Sequence, residues 1–333
     1  MSGAGHFPHK WVLTDFFLCF TAAESGNCRG STGLMYTRLH LTIVTFLAVY
    51  CVLVAPLWSR DIYVNNVMGD DRNDGSTAEP TGDRVGPYQT IARALRASRQ
   101  SDRVILASTS EPYRESITLQ GGRQSGIEGF PFELIGNNAV LDGTVPVPAF
   151  GWSHYKGRVF RYRPPKMSFQ LLYLDDKPAT RRQVTVRAEI DEMNPLEWCL
   201  FEQYLYFCVE EGRLPQAYNL SHTGLQVGVT LYQVRNVVIR DLIVQGFQLD
   251  GINAHDGVVD TTLSGLNCRG NGRSGISIGG ASRVFVQACL VGNNGAAQVR
   301  SEGACAAQLE GCDLLDNTAP PIVKEGGRVV VNR

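Results

Sequence analysis

Four stretches of this chain, Ile239 to Phe247, Leu263 to Asn271, Val286 to Asn294 and Leu309 to Asn317, share one register at offsets of 24, 23 and 23 residues. A fixed period of this length limits the chain to architectures in which one small unit stacks on the next and buries a continuous core. Counting the first residue of each unit as zero, position three holds Leu242, Leu266, Cys289 and Cys312, and position five holds Val244, Cys268, Val291 and Leu314. Apolar residues two apart line one face of a strand. Position thirteen, with Ile252, Ile276, Val299 and Ile322, is a second apolar column. Position eight reads Phe247, Asn271, Asn294 and Asn317, which places amides at one corner of successive units, where they can bond along the stack and tolerate a tight turn.

Residues 263–271 also fit the opening of a leucine-rich repeat. That pattern needs another Leu two residues after the Asn and then a helix. The chain instead has Arg273, Ala296 and Ala319 there, followed by Gly-rich segments that alternate like strands. The fold expected is therefore all-β, a parallel β-helix solenoid. Thirty-five Gly and 15 Pro suit a fold of many turns, and 333 residues at 44% hydrophobic content can bury a large core. A formal net charge of −1 lacks the basic excess of a nucleic-acid binder.

The first 60 residues differ in character. Leu41 to Leu57 is an apolar run preceded by Arg38 and His40, the layout of a signal peptide, with Met35 just upstream. Residues 1–34 are expected to be an unstructured, over-extended start, and residues 35–60 a signal peptide or an uncleaved anchor, since 17 apolar residues sit at the lower limit for spanning a bilayer. Either alternative implies an exported protein, secreted, periplasmic or at the cell surface. Of nine cysteines, Cys268, Cys289 and Cys312 fall in interior columns, where Cys packs as a small hydrophobe; no CxxC pair or His cluster supports a zinc site.

The folded part, residues 61–333, opens with a strand at residues 61–65 and the loop Gly69 to Gly75. That loop has the composition of a calcium site but not its spaced acids. A short helix follows, with Ile91, Ala94 and Leu95 on one face and Thr90 as N-cap, then strands near residues 104–107, 116–119, 132–135 and 139–141. Residues 62–66, 69–75, 87–95, 102–106 and 112–117 resemble the N-terminal cap and first coil of the right-handed parallel β-helix superfamily that includes pectate lyases. The resemblance implies a right-handed solenoid with an N-terminal capping helix, and a polysaccharide as ligand or substrate. Between residues 144 and 228 the repeat lapses into a β-rich insertion, with a hairpin at residues 198–209 turning near Glu202 and Gln203. Its aromatic residues, Trp152, Tyr155, Phe160, Tyr162, Trp198 and Tyr206, are expected to form the insertion's own core.

If position thirteen points inward, its neighbours point outward. One face then carries Asp250, Asn253, His255, Asp256, Arg300 and Glu302, with Gly275, Ser277, Gly279 and Gln298 between them. Cleavage of a uronate polymer by elimination needs a base, for which His255 or Arg300 is a candidate, and a cation such as Ca²⁺, which Asp250 with Asp256 or Glu302 would hold. Glycoside hydrolysis needs two carboxylates from Asp250, Asp256 and Glu302. Asn253, Ser277 and Gln298 are candidate sugar-binding residues. Neither the Asn-x-Asp, Asp-Asp and Gly-His-Gly set of polygalacturonases nor the Arg-x-x-Pro-x-x-Arg arrangement of classical pectate lyases is present. The function expected is that of an exported protein that binds an acidic polysaccharide and cleaves it in a lyase-like reaction, with hydrolysis still open; the alternative is a non-catalytic carbohydrate-binding or surface scaffold role.

Overall fold

The computed structural model describes residues 59–165 and 169–332. The expectations for residues 1–34, and for the apolar run at 41–57, lie outside these residues. Among the described residues no helix is long and apolar enough to cross a membrane.

The 23-residue period is a coil of three strands. Each coil runs through a first strand (Arg235–Gln245 in its first half, then Val259–Ser264, Arg283–Gln287, Ala306–Glu310 and Arg328–Asn332). It continues into a second (the latter half of Arg235–Gln245, then Asn267–Arg269, Leu290–Gly292 and Asp313–Leu314) and a third (Asp250–His255, Ser274–Ile278, Ala297–Ser301 and Ile322–Lys324). Every strand pairs in parallel with its counterpart one coil away, giving an 11-stranded sheet that contains the first two faces and a 6-stranded sheet for the third. The columns read from the sequence are the rungs of these ladders. Val244 faces Cys268, Cys268 faces Val291 and Val291 faces Leu314, while Ile252, Ile276, Val299 and Ile322 pair in turn on the third face. The fold is an all-β right-handed parallel β-helix, and its column residues through Val299 are fully buried in one continuous core.

Two corner devices keep the coils identical. Between the first and second strands a single residue turns the chain with a left-handed backbone: Asp241, Gly265, Ala288 and Gly311, at φ values of 56°, 61°, 48° and 57°. All four occupy position two of the repeat. Between the second and third strands, Asn271 donates through its backbone and side-chain nitrogens to Oδ1 of Asn294 at 2.9 and 3.1 Å, and both amides cap carbonyls of the coil before. Asn317 does not continue this inner ladder. It is exposed and bonds Asn293, and the next buried rung is supplied by Gln298.

At the N-terminal side, the helix Ile91–Ala97 places Ile91, Ala94 and Leu95 in the solenoid core. The Thr90 hydroxyl accepts from the Arg93 amide, and the Glu115 carboxylate accepts from the Ile91 and Ala92 amides, so the first free N–H groups of the helix are satisfied. The residues read as two strands near 132–135 and 139–141 are one strand, Phe132–Asp142, bent through positive φ at Asn137 and Asn138. It pairs with Arg235–Gln245 across roughly a hundred residues of intervening chain.

That intervening chain leaves and rejoins the solenoid at one point, where the Gly224 and Leu225 amides both donate to the Gly143 carbonyl at 3.0 and 2.8 Å. It forms two antiparallel four-stranded sheets. Trp198, Tyr162 and Phe207 are buried in one of its cores and Tyr206 in another, with Trp152, Tyr155 and Phe160 packed at their margins. The aromatics thus serve the insertion's own packing. Phe247 sits at position eight, where later coils have Asn, and its ring fills the corner at the base of the insertion, so close to Gly143 that a methyl there would stand only 2.5 Å from it. Tyr173, fully buried, ties the insertion to the next corner by donating to the Gly270 carbonyl at 2.5 Å.

The six cysteines in the described residues are free thiols. Burial pushes Cys268 up to about 12, so it packs and does not react. Cys289 and Cys312 are stacked on adjacent coils, and the hydrogen bond between the two thiols, together with burial, raises the pKa of Cys289 as well.

Two predictions follow from these placements. Ala288 is the only left-handed position-two residue that is neither Gly nor Asp, and a Cβ there costs roughly 1–2 kcal/mol. After the extra unfolded-state entropy of Gly is deducted, Ala288→Gly is expected to raise unfolding stability by about 0.5–1 kcal/mol in urea titrations. His222, buried against Tyr162 and Gln170 with Nδ1 2.8 Å from the Thr223 carbonyl, has its pKa lowered from 6.5 because burial disfavours the imidazolium. The folded state thus binds fewer protons than the unfolded one. Its stability contribution is complete above pH 6.5 and falls as pH drops below it, and His222→Gln is expected to flatten that part of a melting-temperature profile against pH.

Candidate functional site

The third face presents its position-fourteen and position-sixteen residues outward. Thr118, Thr230, Asn253, Ser277 and Arg300 form one row, and Gln120, Tyr232 and His255 begin the next. Gly279, Glu302 and Glu325 continue that second row at the ends of their strands. Tyr232 and His255 stack with ring centroids 6.3 Å apart and planes at 25°, making a flat aromatic surface at the edge of the face. Tyr232 lies one period before His255, so carrying the repeat one coil upstream would have found it.

Three of the residues expected on this face have other roles. Asp250 has the same parity as Ile252 and points inward. It is fully buried, accepting from Arg273 Nε at 3.0 Å and from Ser274 Oγ at 2.6 Å, and is not available to substrate or metal. Gln298 is also fully buried, its amide completing the corner ladder between Asn294 and Asn317 at 2.8 and 3.1 Å; it is a structural rung and not a sugar-binding group. Position twelve fails as an outward column because it sits where the strand leaves the corner: a methyl on Gly251 or Gly275 would meet the ladder amides of Asn271 or Asn294 at 2.8 and 2.7 Å. Arg300 is outward but engaged by Glu325 and, at 3.4 Å, by Glu302. A guanidinium held between two carboxylates is a poor proton acceptor. Ser277 is outward too but wholly covered, and neither its Oγ nor the buried Arg300 Nε beside it in the ladder has a hydrogen-bond partner.

His255, Asp256 and Glu302 remain together, with Asn253 half-buried beside them. Asp256 turns the corner after the third strand at φ 53°, and its Oδ1 lies 2.8 Å from where a Cβ on Gly280 would stand. The Glu302 carboxylate leans from the other side, with Oε1 3.1 Å from the corresponding point on Gly279. The two acids thus flank one glycine pair, from coils on either side of it. Two coil spacings separate their backbones by about 10 Å, and both side chains lean inward from that limit. That spacing is close to the ~6.5–9.5 Å between the carboxyl groups of inverting glycosidases. Only glycine at 279 and 280 leaves this floor open.

A calcium ion does not fit this arrangement well. Asp250 is consumed by Arg273 and Ser274, and among the described residues no three His, Cys, Asp or Glu side chains converge. Around Gly279 and Gly280 the third strands present three carboxylates, Asp256, Glu302 and Glu325, with the Arg300 guanidinium, so the charge at this part of the face is negative.

No curated protein matches this sequence. Residues 216–332 match the family model described as a right handed beta helix region. Among solved structures, the chain is similar to a glycoside hydrolase with a TM-score of 0.57 and 11% identity, over 76% of this chain and 73% of that one. It also aligns with XylC in complex with xylose (TM-score 0.41, 10% identity, 82% and 70% covered) and with pectate lyase Pel9A (0.32, 11%, 83% and 69%). Identities this low speak to fold alone. Residues 216–332 match that family model, and the described residues share its fold of stacked parallel faces.

Proposed function

We propose that the third face binds a polysaccharide and hydrolyses a glycosidic bond between Asp256 and Glu302. The observation that carries this reading is the inclination of both carboxylates over the Gly279–Gly280 floor from opposite sides. In such a pair one carboxyl protonates the departing glycosidic oxygen, while the other attacks the anomeric carbon or activates a water for that attack. The stacked Tyr232 and His255 rings offer a surface for a sugar ring, and the Asn253 amide a hydrogen-bonding group, beside the cleavage position. The glycoside hydrolase of similar fold is in keeping with this chemistry. Elimination from a uronate is less well supported, because Arg300, one of the two candidate bases, and Asp250, a candidate cation ligand, are committed to ion pairs, which leaves His255 alone as the base. The excess of carboxylates on the face favours a neutral glycan over an acidic one at this position.

Export belongs to the same reading, since polysaccharides are met outside the cytoplasm; the charged residue Arg38 and the apolar run at 41–57 support it. A second reading, a non-catalytic carbohydrate-binding or scaffold protein, draws on the 3.4 Å bridge between Glu302 and Arg300, which occupies one of the two acids.

Incubation with a panel of neutral and acidic polysaccharides, monitored for new reducing ends, separates the two. Hydrolysis is expected for the wild type, with a loss of roughly 100-fold or more in Asp256→Asn and Glu302→Gln while both still bind the glycan. Unsaturated product absorbing in the ultraviolet would point to elimination instead. Binding without any product from the wild type would favour the scaffold.

A further inference from the structure

The outer surface of the first strands holds a groove of about 680 Å³ that takes no part in the face described above. Its floor is a row of consecutive rungs, Thr262, Phe285, Gln308 and Val330. Beside this row run Arg283, Ala306 and Arg328, also paired rung to rung, so the two arginines stand about 10 Å apart along the solenoid axis with only a methyl between them. Further toward the N-terminus on the same sheet, Arg103 is held by Asp61 at 2.6 Å and Arg240 by Glu133 at 3.3 Å. Arg283 and Arg328 are exposed and, among the described residues, have no such partner; Asp260, the carboxylate among the described residues that line the groove, bridges to neither. Two unpaired guanidinium groups, a half-exposed aromatic ring, an amide and a hydroxyl therefore share one elongated trough.

We propose that this groove is a binding site for an anionic glycan, lying along the solenoid axis with successive carboxylate or sulfate groups on Arg283 and Arg328 and a sugar ring against Phe285. Guanidinium groups bind such anions through paired N–H donors, and the aromatic ring accepts the apolar face of a pyranose. The protein's net charge of −1 provides no general attraction for polyanions, so recognition depends on this local pair. The site is independent of Asp256 and Glu302, and it gives the acidic polymer a location that the carboxylate-rich third face does not.

The test is titration calorimetry of the full chain with oligogalacturonate, alongside a neutral malto-oligosaccharide and a single-stranded oligonucleotide of equal charge. Oligogalacturonate is expected to bind and to weaken as salt is raised, with at least a tenfold loss in the double variant Arg283→Ala/Arg328→Ala and in Ala306→Glu, which places a carboxylate between the two arginines. Asp256→Asn and Glu302→Gln are expected to bind it as the wild type does. All five substituted positions are exposed or half-exposed, and a thermal melt of each variant confirms that the fold is retained. Failure of the wild type to bind oligogalacturonate, unchanged binding in the arginine and Ala306 variants, or equally tight binding of the oligonucleotide would each overturn the proposal.

Discussion

The whole molecule depends on coils lying in register at the spacing of a parallel β-ladder. Hydrogen bonding at about 4.8 Å per strand leaves no freedom for one coil to differ in length or turn from the next unless the difference is placed at a corner. The left-handed residue at position two and the amide ladder at position eight are the two devices that enforce this identity. Because every coil turns at the same places, a residue's position in the repeat decides its neighbours above and below. An outward side chain at one position meets outward side chains of the same position, which is how acids from non-adjacent coils come to lie over a shared pair of glycines.

The same constraint accounts for the placement of the insertion. A long excursion within a strand would break the ladders to the coils on either side, whereas one that begins and ends at Gly143 breaks neither. At the corner beside its base Phe247 stands in place of Asn; its backbone amide still donates to Asn271 Oδ1 at 3.3 Å, while its ring packs against Gly143. The insertion then pays its own folding cost with two aromatic cores, and is joined to the solenoid by Tyr173 on Gly270.

Much of this was legible in the sequence because a period is a long-range signal. The rungs Val244–Cys268–Val291–Leu314 and Ile252–Ile276–Val299–Ile322 follow directly from aligning the repeat. Parity does not hold where the strand meets the corner: it puts Gln298 on the outward face, but the backbone there aims the side chain into the amide ladder. Asp250 was grouped with the outward face by proximity in sequence, although its parity with Ile252 makes it inward and its charge is met by Arg273 one coil on. Ion pairing across coils, such as Arg300 with Glu325, depends on side-chain reach between rungs and leaves no periodic trace. The Arg283–Arg328 groove was invisible for a related reason: its residues are ordinary one at a time and become a site only when stacked.

The central claim is that a glycan lies over Gly279 and Gly280 between Asp256 and Glu302. A crystal structure of Glu302→Gln soaked with an oligosaccharide that the wild type cleaves tests it most directly. The account predicts a sugar ring beside Tyr232 and His255 and a glycosidic oxygen within hydrogen-bonding distance of Asp256 or of the residue at 302. Sugar bound only elsewhere on the solenoid, with the Gly279–Gly280 floor bare, would contradict it.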